Sequence, residues 1–183
     1  MSKASRTNLS LGALALVIAL LDQWTKVLVR THIPVGESAS VAAWLDSLVV
    51  FTHIRNTGAA FGLGQGLGQF FVYSAFAAIL LIVLYFRRVA QDAPLLQVAL
   101  GLQLGGAIGN LLDRLRLGGV TDFVDFGWFP IFNLADSAIT IGTVLLCVHA
   151  LFFDKPPKER KGPEGEPHPD AGDSTAPLGI DRP

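Results

Sequence analysis

Residues 131–153 read IFNLADSAITIGTVLLCVHALFF, an apolar run with one carboxylate, Asp136. A helix needs roughly 20 mostly apolar residues to cross about 30 Å of hydrocarbon, and this run has the required length. Only 16% of the 183 residues in the chain are charged, whereas an average soluble domain has roughly a quarter. The run therefore predicts a membrane-spanning helix, and the composition predicts an integral membrane protein.

Three similar apolar runs precede this one. The first resembles a signal peptide, but it continues into Asp22 and Lys26 without a small-residue cleavage site, so we expect it to be retained. The pattern predicts an all-α membrane protein with one four-helix domain, residues 1–154. The predicted spans are 9–29, 69–86, 94–112 and 131–153.

Basic residues flank alternate ends of these spans. Lys3 and Arg6 precede the first span, Arg87 and Arg88 follow the second, and a basic stretch follows the fourth. Cytoplasmic loops carry an excess of Lys and Arg, so the pattern predicts that both termini are cytoplasmic, N-in and C-in.

Two segments outside the spans have distinct compositions. Residues 31–56 form the predicted outer segment between helices 1 and 2, and SLVVFTHI at 47–54 is β-branched and aromatic enough for a short strand. We therefore expect a small extracytoplasmic β-containing segment there. Residues 155–183 are rich in Pro, Gly and charge, which predicts a disordered cytoplasmic tail.

Three glycines of the third span lie four residues apart on one helical face: Gly101, Gly105 and Gly109. Missing side chains at this spacing let a second helix approach closely. The net charge of −1 gives no basic patch, so no nucleic-acid partner is expected.

Five aspartates lie inside or at the ends of the predicted spans. A charge in the bilayer costs about 2.5–3.5 kcal/mol on insertion scales, so these acids need an explanation. The five aspartates are Asp22, Asp113, Asp122, Asp125 and Asp136. Under the predicted topology all five approach one membrane face, and the last two predicted spans form a hairpin.

Two carboxylates held close together share a proton, which supplies an acid and a base at one place. The ionised partner can activate water and the protonated partner can support a developing oxyanion. This chemistry needs no metal and no cofactor. From spacing alone, Asp122 and Asp125 are equal candidates to pair with Asp136, and Asp113 is expected to brace the neighbouring Arg114 or Arg116.

A small proton-coupled membrane transporter is the alternative function, because intramembrane carboxylates also relay protons. That function favours acids spread across the membrane depth and an internal repeat. The acids of this chain gather near one face, and no repeat is visible.

Five sequence blocks, in order, carry a family resemblance. They are DQWTK at 22–26, NTGAAFG at 56–62, GGAIGNLLDR at 105–114, VTDF at 120–123 and FNLADS at 132–137. The series resembles that of bacterial lipoprotein signal peptidase, also called signal peptidase II, and the resemblance covers about residues 9–153.

The resemblance implies an aspartic endopeptidase whose catalytic residues are Asp122 and Asp136. It also implies a group of residues that bind substrate or support this pair. They are Asp22, Lys26, Asn56, Gly58, Asn110, Asp113, Arg114 and Asn133.

The resemblance further implies a substrate and a location. Members of the family cleave diacylglyceryl-modified prolipoproteins on the N-terminal side of the lipidated cysteine, in the bacterial inner membrane, with the site near the periplasmic face. A β-rich cradle, a lid-like segment from residues 31–56 and inhibition by globomycin are likewise implied. The protein is expected to act as a monomer among membrane lipids.

Overall fold

The structure, a computed structural model, describes residues 3–58, 68–89 and 93–153. These residues form four helices and three strands. The helices are α1 (Lys3–His32), α2 (Gly68–Val89), α3 (Pro94–Leu117) and α4 (Leu134–Phe152), and the strands are β1 (Ser38–Ser40), β2 (Val50–Asn56) and β3 (Val120–Asp125). The predicted disordered tail, 155–183, lies outside the described residues.

All four helices are long and apolar enough to cross a bilayer, which confirms the prediction of four spans. Their boundaries differ from the prediction at the ends that matter for the site. Helix α3 continues to Leu117 instead of ending near residue 112, so Asp113 and Arg114 belong to the helix. Helix α4 begins at Leu134, which leaves Asn133 as the residue that caps it.

Helix α3 is the centre of the bundle, and it contacts α1, α2 and α4. Its glycines explain how α1 approaches so closely. A Cβ atom on Gly105 would lie 2.7 Å from the carbonyl oxygen of Ala15, and one on Gly101 would lie 2.8 Å from a methyl carbon of Leu14. The prediction that this glycine face admits a neighbouring helix is confirmed.

The contact between α3 and α4 uses two further glycines. A Cβ atom on Gly142 would lie 2.6 Å from the carbonyl oxygen of Ala99, and one on Gly106 would collide with the carbonyl oxygen of Ala135. Small residues of this kind allow close backbone packing between membrane helices. The first turn of α4 is therefore pressed against the middle of α3.

A three-stranded antiparallel sheet in the order β1-β2-β3 lies at the end of the bundle. The predicted strand within 47–54 is confirmed, although it runs from Val50 to Asn56. The sheet extends beyond the predicted β-containing segment between helices 1 and 2, which supplies β1 and β2. Strand β3 follows α3 and pairs with β2, with Ile54 opposite Asp122.

The sheet is fixed to the end of α1 by a small apolar core. Val29 of α1 and Ile33, which directly follows that helix, pack with Phe123, and the ring of Phe123 meets that of Phe51 edge-on at 5.6 Å. Gly118, with φ of 71°, ends α3 in the left-handed conformation that glycine adopts without strain. The chain thereby turns from α3 directly into β3, which carries Asp122.

Candidate active site

Asp122 and Asp136 line one cavity of about 550 Å³ between the sheet and the helix ends. Asp122 comes from β3 and is 2% exposed. Asp136 lies in the first turn of α4. We refer to these two residues as the carboxylate pair. The other polar residues that line the cavity are Asn56, Asn110, Arg114, Ser137 and Thr140.

Asn133 connects the two carboxylates. Its side-chain Nδ2 donates to Asp122 Oδ1 at 2.6 Å, and its backbone N–H donates to Asp136 Oδ2 at 3.2 Å. Its Oδ1 accepts the backbone N–H of Asp136 at 3.0 Å, which completes a capping box at the start of α4. Asn133 precedes α4, and it both caps this helix and contacts Asp122.

Two more asparagines donate to the pair from other elements. Asn56, at the end of β2, donates through Nδ2 to Asp122 Oδ2 at 2.9 Å. Asn110, on α3, donates through Nδ2 to Asp136 Oδ1 at 2.8 Å. Each of the four carboxylate oxygens of the pair therefore accepts a hydrogen bond from an asparagine.

The orientation of each amide is fixed at its oxygen end by a group that can only donate. The backbone N–H of Gly58 donates to Asn56 Oδ1 at 3.0 Å, and the ammonium of Lys26 donates to Asn110 Oδ1 at 2.8 Å. The N–H of Asp136 does the same for Asn133. A flipped amide would face a donor with its own NH₂ group, so all three amides are held with NH₂ toward the pair.

Asp122 is electrostatically distinct. Burial, and after it the nearby charge of Asp136, raise the pKa of Asp122 to about 6, while hydrogen bonds from Asn56 and Asn133 oppose the rise. A buried carboxyl group beside another negative charge resists ionisation. Asp136, in contrast, lies at the N-terminus of a helix, where backbone N–H groups and the helix dipole stabilise negative charge.

A second polar group lies behind the pair, and we call it the ion cluster: Asp22, Lys26, Arg30 and Asp113. Lys26 is fully buried, with its Nζ 2.9 Å from Asp22 and 3.7 Å from Asp113. Arg30 lies 3.4 Å from Asp113. Two positive and two negative side chains are therefore balanced within the bundle.

The ion cluster also holds the elements that carry the pair. Asp22 Oδ1 accepts the backbone N–H of Ala135, in the first turn of α4, at 3.0 Å. Asp113 Oδ2 accepts the backbone N–H of Thr121, next to Asp122, at 2.9 Å. Buried carboxylates that accept backbone N–H groups in this way fix the position of the strand and the helix relative to each other.

Asp113 was expected to pair with Arg114 or Arg116, and this expectation is wrong. Asp113 contacts Lys26 and Arg30 of α1, because it points away from the cavity toward that helix. Arg114 instead lines the cavity, with its guanidinium carbon 5.6 Å from the centre of the Phe71 ring. Residues adjacent in sequence on a helix point about 100° apart, which explains the separation.

Asp125, the alternative partner of Asp136, lies elsewhere. It accepts from Thr52 Oγ1 at 2.7 Å and from the backbone N–H of Gly127 at 2.7 Å, and it does not line the cavity. Side chains three positions apart on a strand point to opposite faces, so β3 can present only one of its two aspartates to the cavity. That residue is Asp122.

Sequence reasoning missed several residues of the site. Gln23, next to Asp22, donates to Asp113 at 3.1 Å and to the carbonyl oxygen of Gly109 at 3.0 Å. Thr140 lines the cavity four residues after Asp136, which is a spacing that puts both on one face of α4. Phe129 and Phe132 form part of the cavity wall, and the sequence gave no sign that they would.

The described residues form no group of three or more His, Cys, Asp or Glu side chains that could hold a metal ion. The helices and the cavity thus define a multi-span membrane protein with a pair of carboxyl groups, one buried and one half-buried, held by amides. The chain belongs to the signal peptidase (SPase) II family, whose model matches residues 14–152.

Curated relatives and solved structures agree with this family. A lipoprotein signal peptidase of Geobacillus kaustophilus (strain HTA426) is 44% identical over 151 residues, which are 79% of this chain and 95% of that protein. One from Shouchella clausii (strain KSM-K16) is 46% identical over 138 residues, 75% of this chain and 89% of that protein. A solved structure described as a bacterial membrane enzyme at 2.3 Å resolution superposes with a TM-score of 0.73 at 35% identity, covering 78% of this chain and 87% of that one.

Proposed function

We propose that this chain is an aspartic endopeptidase that removes signal peptides from diacylglyceryl-modified prolipoproteins. Membership of the signal peptidase II family supports the substrate class, and the relatives are named lipoprotein signal peptidases. The observation that carries the mechanism is the pair Asp122 and Asp136, which line one cavity and are bridged by Asn133.

In the proposed first step, Asp136 is the base and Asp122 is the acid. The raised pKa of Asp122 favours its protonated form, and the start of α4 favours charge on Asp136. Asp136 removes a proton from water as the water oxygen attacks the scissile carbonyl carbon. Asp122 donates its proton to the carbonyl oxygen, so that a neutral tetrahedral diol forms.

In the second step the diol collapses. The carbon–nitrogen bond breaks as Asp136 gives its proton to the leaving amine, and a hydroxyl of the diol returns a proton to Asp122. The pair ends with one proton, as it began, and one water has been consumed. The amides of Asn56, Asn110 and Asn133 keep both carboxyl groups in place through the cycle.

The proposed cleavage is on the N-terminal side of the lipidated cysteine. Both the diacylglyceryl group and the apolar signal helix of such a substrate reside in the bilayer. A cavity at the ends of membrane-spanning helices meets a peptide bond near the membrane surface without extracting either group. The eight supporting residues act as dyad support or substrate contacts in this proposal, with Arg114 and Gly58 in the cavity wall.

The proposed location is the bacterial inner membrane, with N-in and C-in topology and the site at the outer face. Its support is the distribution of basic residues along the chain. A reporter enzyme fused after residue 155 is expected to give cytoplasmic activity. Periplasmic activity of that fusion would overturn the orientation.

Proton-coupled transport is less well supported. The carboxylates of the described spans gather at the end that carries the sheet, and those of the ion cluster are paired with Lys26 and Arg30. A transport path requires titratable groups along the membrane depth.

The test is cleavage of a diacylglyceryl precursor by the purified protein, followed by gel shift. Asp122→Asn and Asp136→Asn are each expected to lower the rate at least about a hundredfold, because each removes one half of the acid–base pair. Asp125→Asn is the matched control, since the same change on the same strand lies outside the cavity. Full activity in either of the first two variants would contradict the assignment.

A further inference from the structure

A segment of seven residues between β3 and α4 exposes apolar rings beside the cavity. We call residues 126–132, FGWFPIF, the aromatic loop. Trp128 is 82% exposed, Phe129 is 48% exposed and Phe126 is 39% exposed. The rings contact one another in a chain, with 5.6 Å between the centres of Trp128 and Phe129 and 5.9 Å between Phe129 and Phe132. The loop therefore presents a continuous aromatic surface and no charge.

The exposure is built into the fold. Gly127 has φ of 76°, and its N–H donates to Asp125 Oδ1 at 2.7 Å, which closes a turn at the start of the loop. The other oxygen of Asp125 accepts from Thr52 on β2 at 2.7 Å. At the far end, the backbone of Phe132 pairs with that of Val124 at 2.8 and 3.2 Å. Both ends of the loop are thus tied to the sheet.

The position of the loop along the membrane normal follows from α4. This helix has 19 residues, so it is about 28 Å long, close to the roughly 30 Å of the hydrocarbon core. Leu134 therefore lies near the edge of the hydrocarbon, and the aromatic loop, which ends two residues earlier, lies just beyond it. Tryptophan and other aromatic rings concentrate in this interfacial zone of membrane proteins.

We propose that the aromatic loop inserts into the headgroup and upper acyl region of the leaflet on the side of the sheet. Its occupant is bulk bilayer lipid, since α4, which begins two residues after the loop, also exposes apolar side chains such as Ile141 and Val144. Phe129 and Phe132 also line the cavity, so insertion places the cavity mouth at the level of the lipid. Asp125 is the positioning residue that holds the loop for this contact.

The test uses fluorescence of Trp128 in the full chain. The protein has three tryptophans, so the double variant Trp24→Phe, Trp44→Phe leaves Trp128 as the single emitter. The variant is reconstituted in phosphatidylcholine vesicles whose acyl chains carry bromine, a quencher, either near the headgroup or near the chain end. Shallow bromines are expected to quench Trp128 about twofold or more strongly than deep bromines, as for an interfacial ring.

Two results would overturn the proposal. Emission typical of water with no quenching at either depth would place the loop outside the membrane. If the brominated lipids do not quench Trp128 and its emission shifts to the blue when a diacylglyceryl peptide is added, the aromatic surface binds the substrate instead of the bilayer. The measurement needs no catalysis, so its outcome is independent of the proposed peptidase activity.

A matched pair of variants tests the role of Asp125 in the same background. Asp125→Asn keeps an acceptor for the N–H of Gly127, so quenching is expected to stay at the parent level. Asp125→Ala removes the acceptor, and the contrast between shallow and deep quenching is expected to fall. Equal quenching in the two variants would show that Asp125 does not position the loop.

Discussion

Two buried polar groups lie within one end of this bundle, and they are neutralised differently. In the ion cluster, Asp22 and Asp113 are paired with Lys26 and Arg30. In the carboxylate pair, Asp122 and Asp136 accept from asparagine groups, and no ion pair reaches either of them among the described side chains. The carboxylates of the ion cluster are paired with cations, whereas Asp122 of the carboxylate pair has a pKa raised to about 6 and can gain or lose a proton.

Asn110 connects the two groups. Its oxygen accepts from Lys26 of the ion cluster, and its NH₂ donates to Asp136 of the pair. Lys26 of the ion cluster thus holds the amide of Asn110 with its NH₂ group toward Asp136. The predictions below test whether the ion cluster and the carboxylate pair contribute separately to stability and cleavage or depend on each other.

The largest expected effect comes from breaking the ion cluster. Lys26→Met leaves Asp22 and Asp113 buried with one remaining partner, Arg30. Removing one member of a buried ion pair costs about 3–5 kcal/mol. We expect a large fall in the thermal unfolding midpoint in micelles, together with poor recovery of folded protein. An unchanged midpoint would show that the cluster does not stabilise the fold.

A charge-balanced change separates folding from catalysis. The double variant Asp22→Asn, Lys26→Met removes one charge of each sign and keeps an acceptor for the N–H of Ala135. We expect it to fold, but to cleave about 10–100-fold more slowly, because the Asn110 oxygen loses the ammonium donor at 2.8 Å and keeps only Asn133 Nδ2 at 3.2 Å. The fall is expected in kcat with KM little changed, and the pH profile of kcat is expected to shift.

Arg30→Met is the matched control for this variant. The change removes the ion pair between Arg30 and Asp113, and Arg30 does not contact Asn110. Its stability is expected to fall while the pH profile of cleavage keeps its shape. A shifted profile in Arg30→Met as well would mean that the ion cluster acts on the pair by charge alone and not through the amide.

Much of the fold was predictable because membrane spans are marked by length and apolarity. Strand β3 was not predicted, since its six residues gain their strand structure from pairing with β2, which is distant in sequence. The ends of α3 and α4 were also misplaced, because apolar composition does not mark where a glycine or an asparagine ends or caps a helix. These ends decide that Asp113 faces α1 and that Asn133 reaches Asp122.

The aspartates of the site could be found from sequence, but spacing along the chain could not say which two of them pair. Charge cost in the membrane selected five residues, and the family resemblance singled out Asp122 and Asp136. The partners of Asp113 and the bridging by Asn133 depend on side-chain directions across three elements. Periodicity along one element carries no information about such contacts.

A smaller effect is expected from pH, through the raised pKa of Asp122. The proposed mechanism requires a protonated Asp122, so kcat/KM is expected to fall up to tenfold per unit as the pH rises through about 6. The measurement is the pH profile of precursor cleavage at low substrate concentration. A profile that stays flat from about pH 5 to about pH 8 would rule out Asp122 as the acid.

Stability is expected to depend on pH in the same window. The pKa of Asp122 in the folded protein, about 6, is above its ordinary value of 3.8. Its contribution to stability is therefore complete below about pH 3.8 and is lost as the pH rises through about 6. The unfolding midpoint of Asp122→Asn relative to the parent protein is expected to rise over that interval, and a constant difference would contradict this linkage.

The smallest expected effect is that of Asp125→Asn. This residue belongs to neither buried group and does not line the cavity. We expect less than about a twofold change in cleavage, as for substitutions away from a site. A loss comparable to that of Asp122→Asn would mean that the pair has been assigned to the wrong aspartate of β3.

The most direct test of the central claim, that Asp122 and Asp136 share one proton, is infrared titration of the carboxyl C=O stretch in micelles. The parent protein is expected to show a band from one buried protonated carboxyl group that disappears as the pH rises through about 6. The band is expected to be absent in Asp122→Asn and retained in Asp125→Asn. A band that persists unchanged in Asp122→Asn would contradict the account.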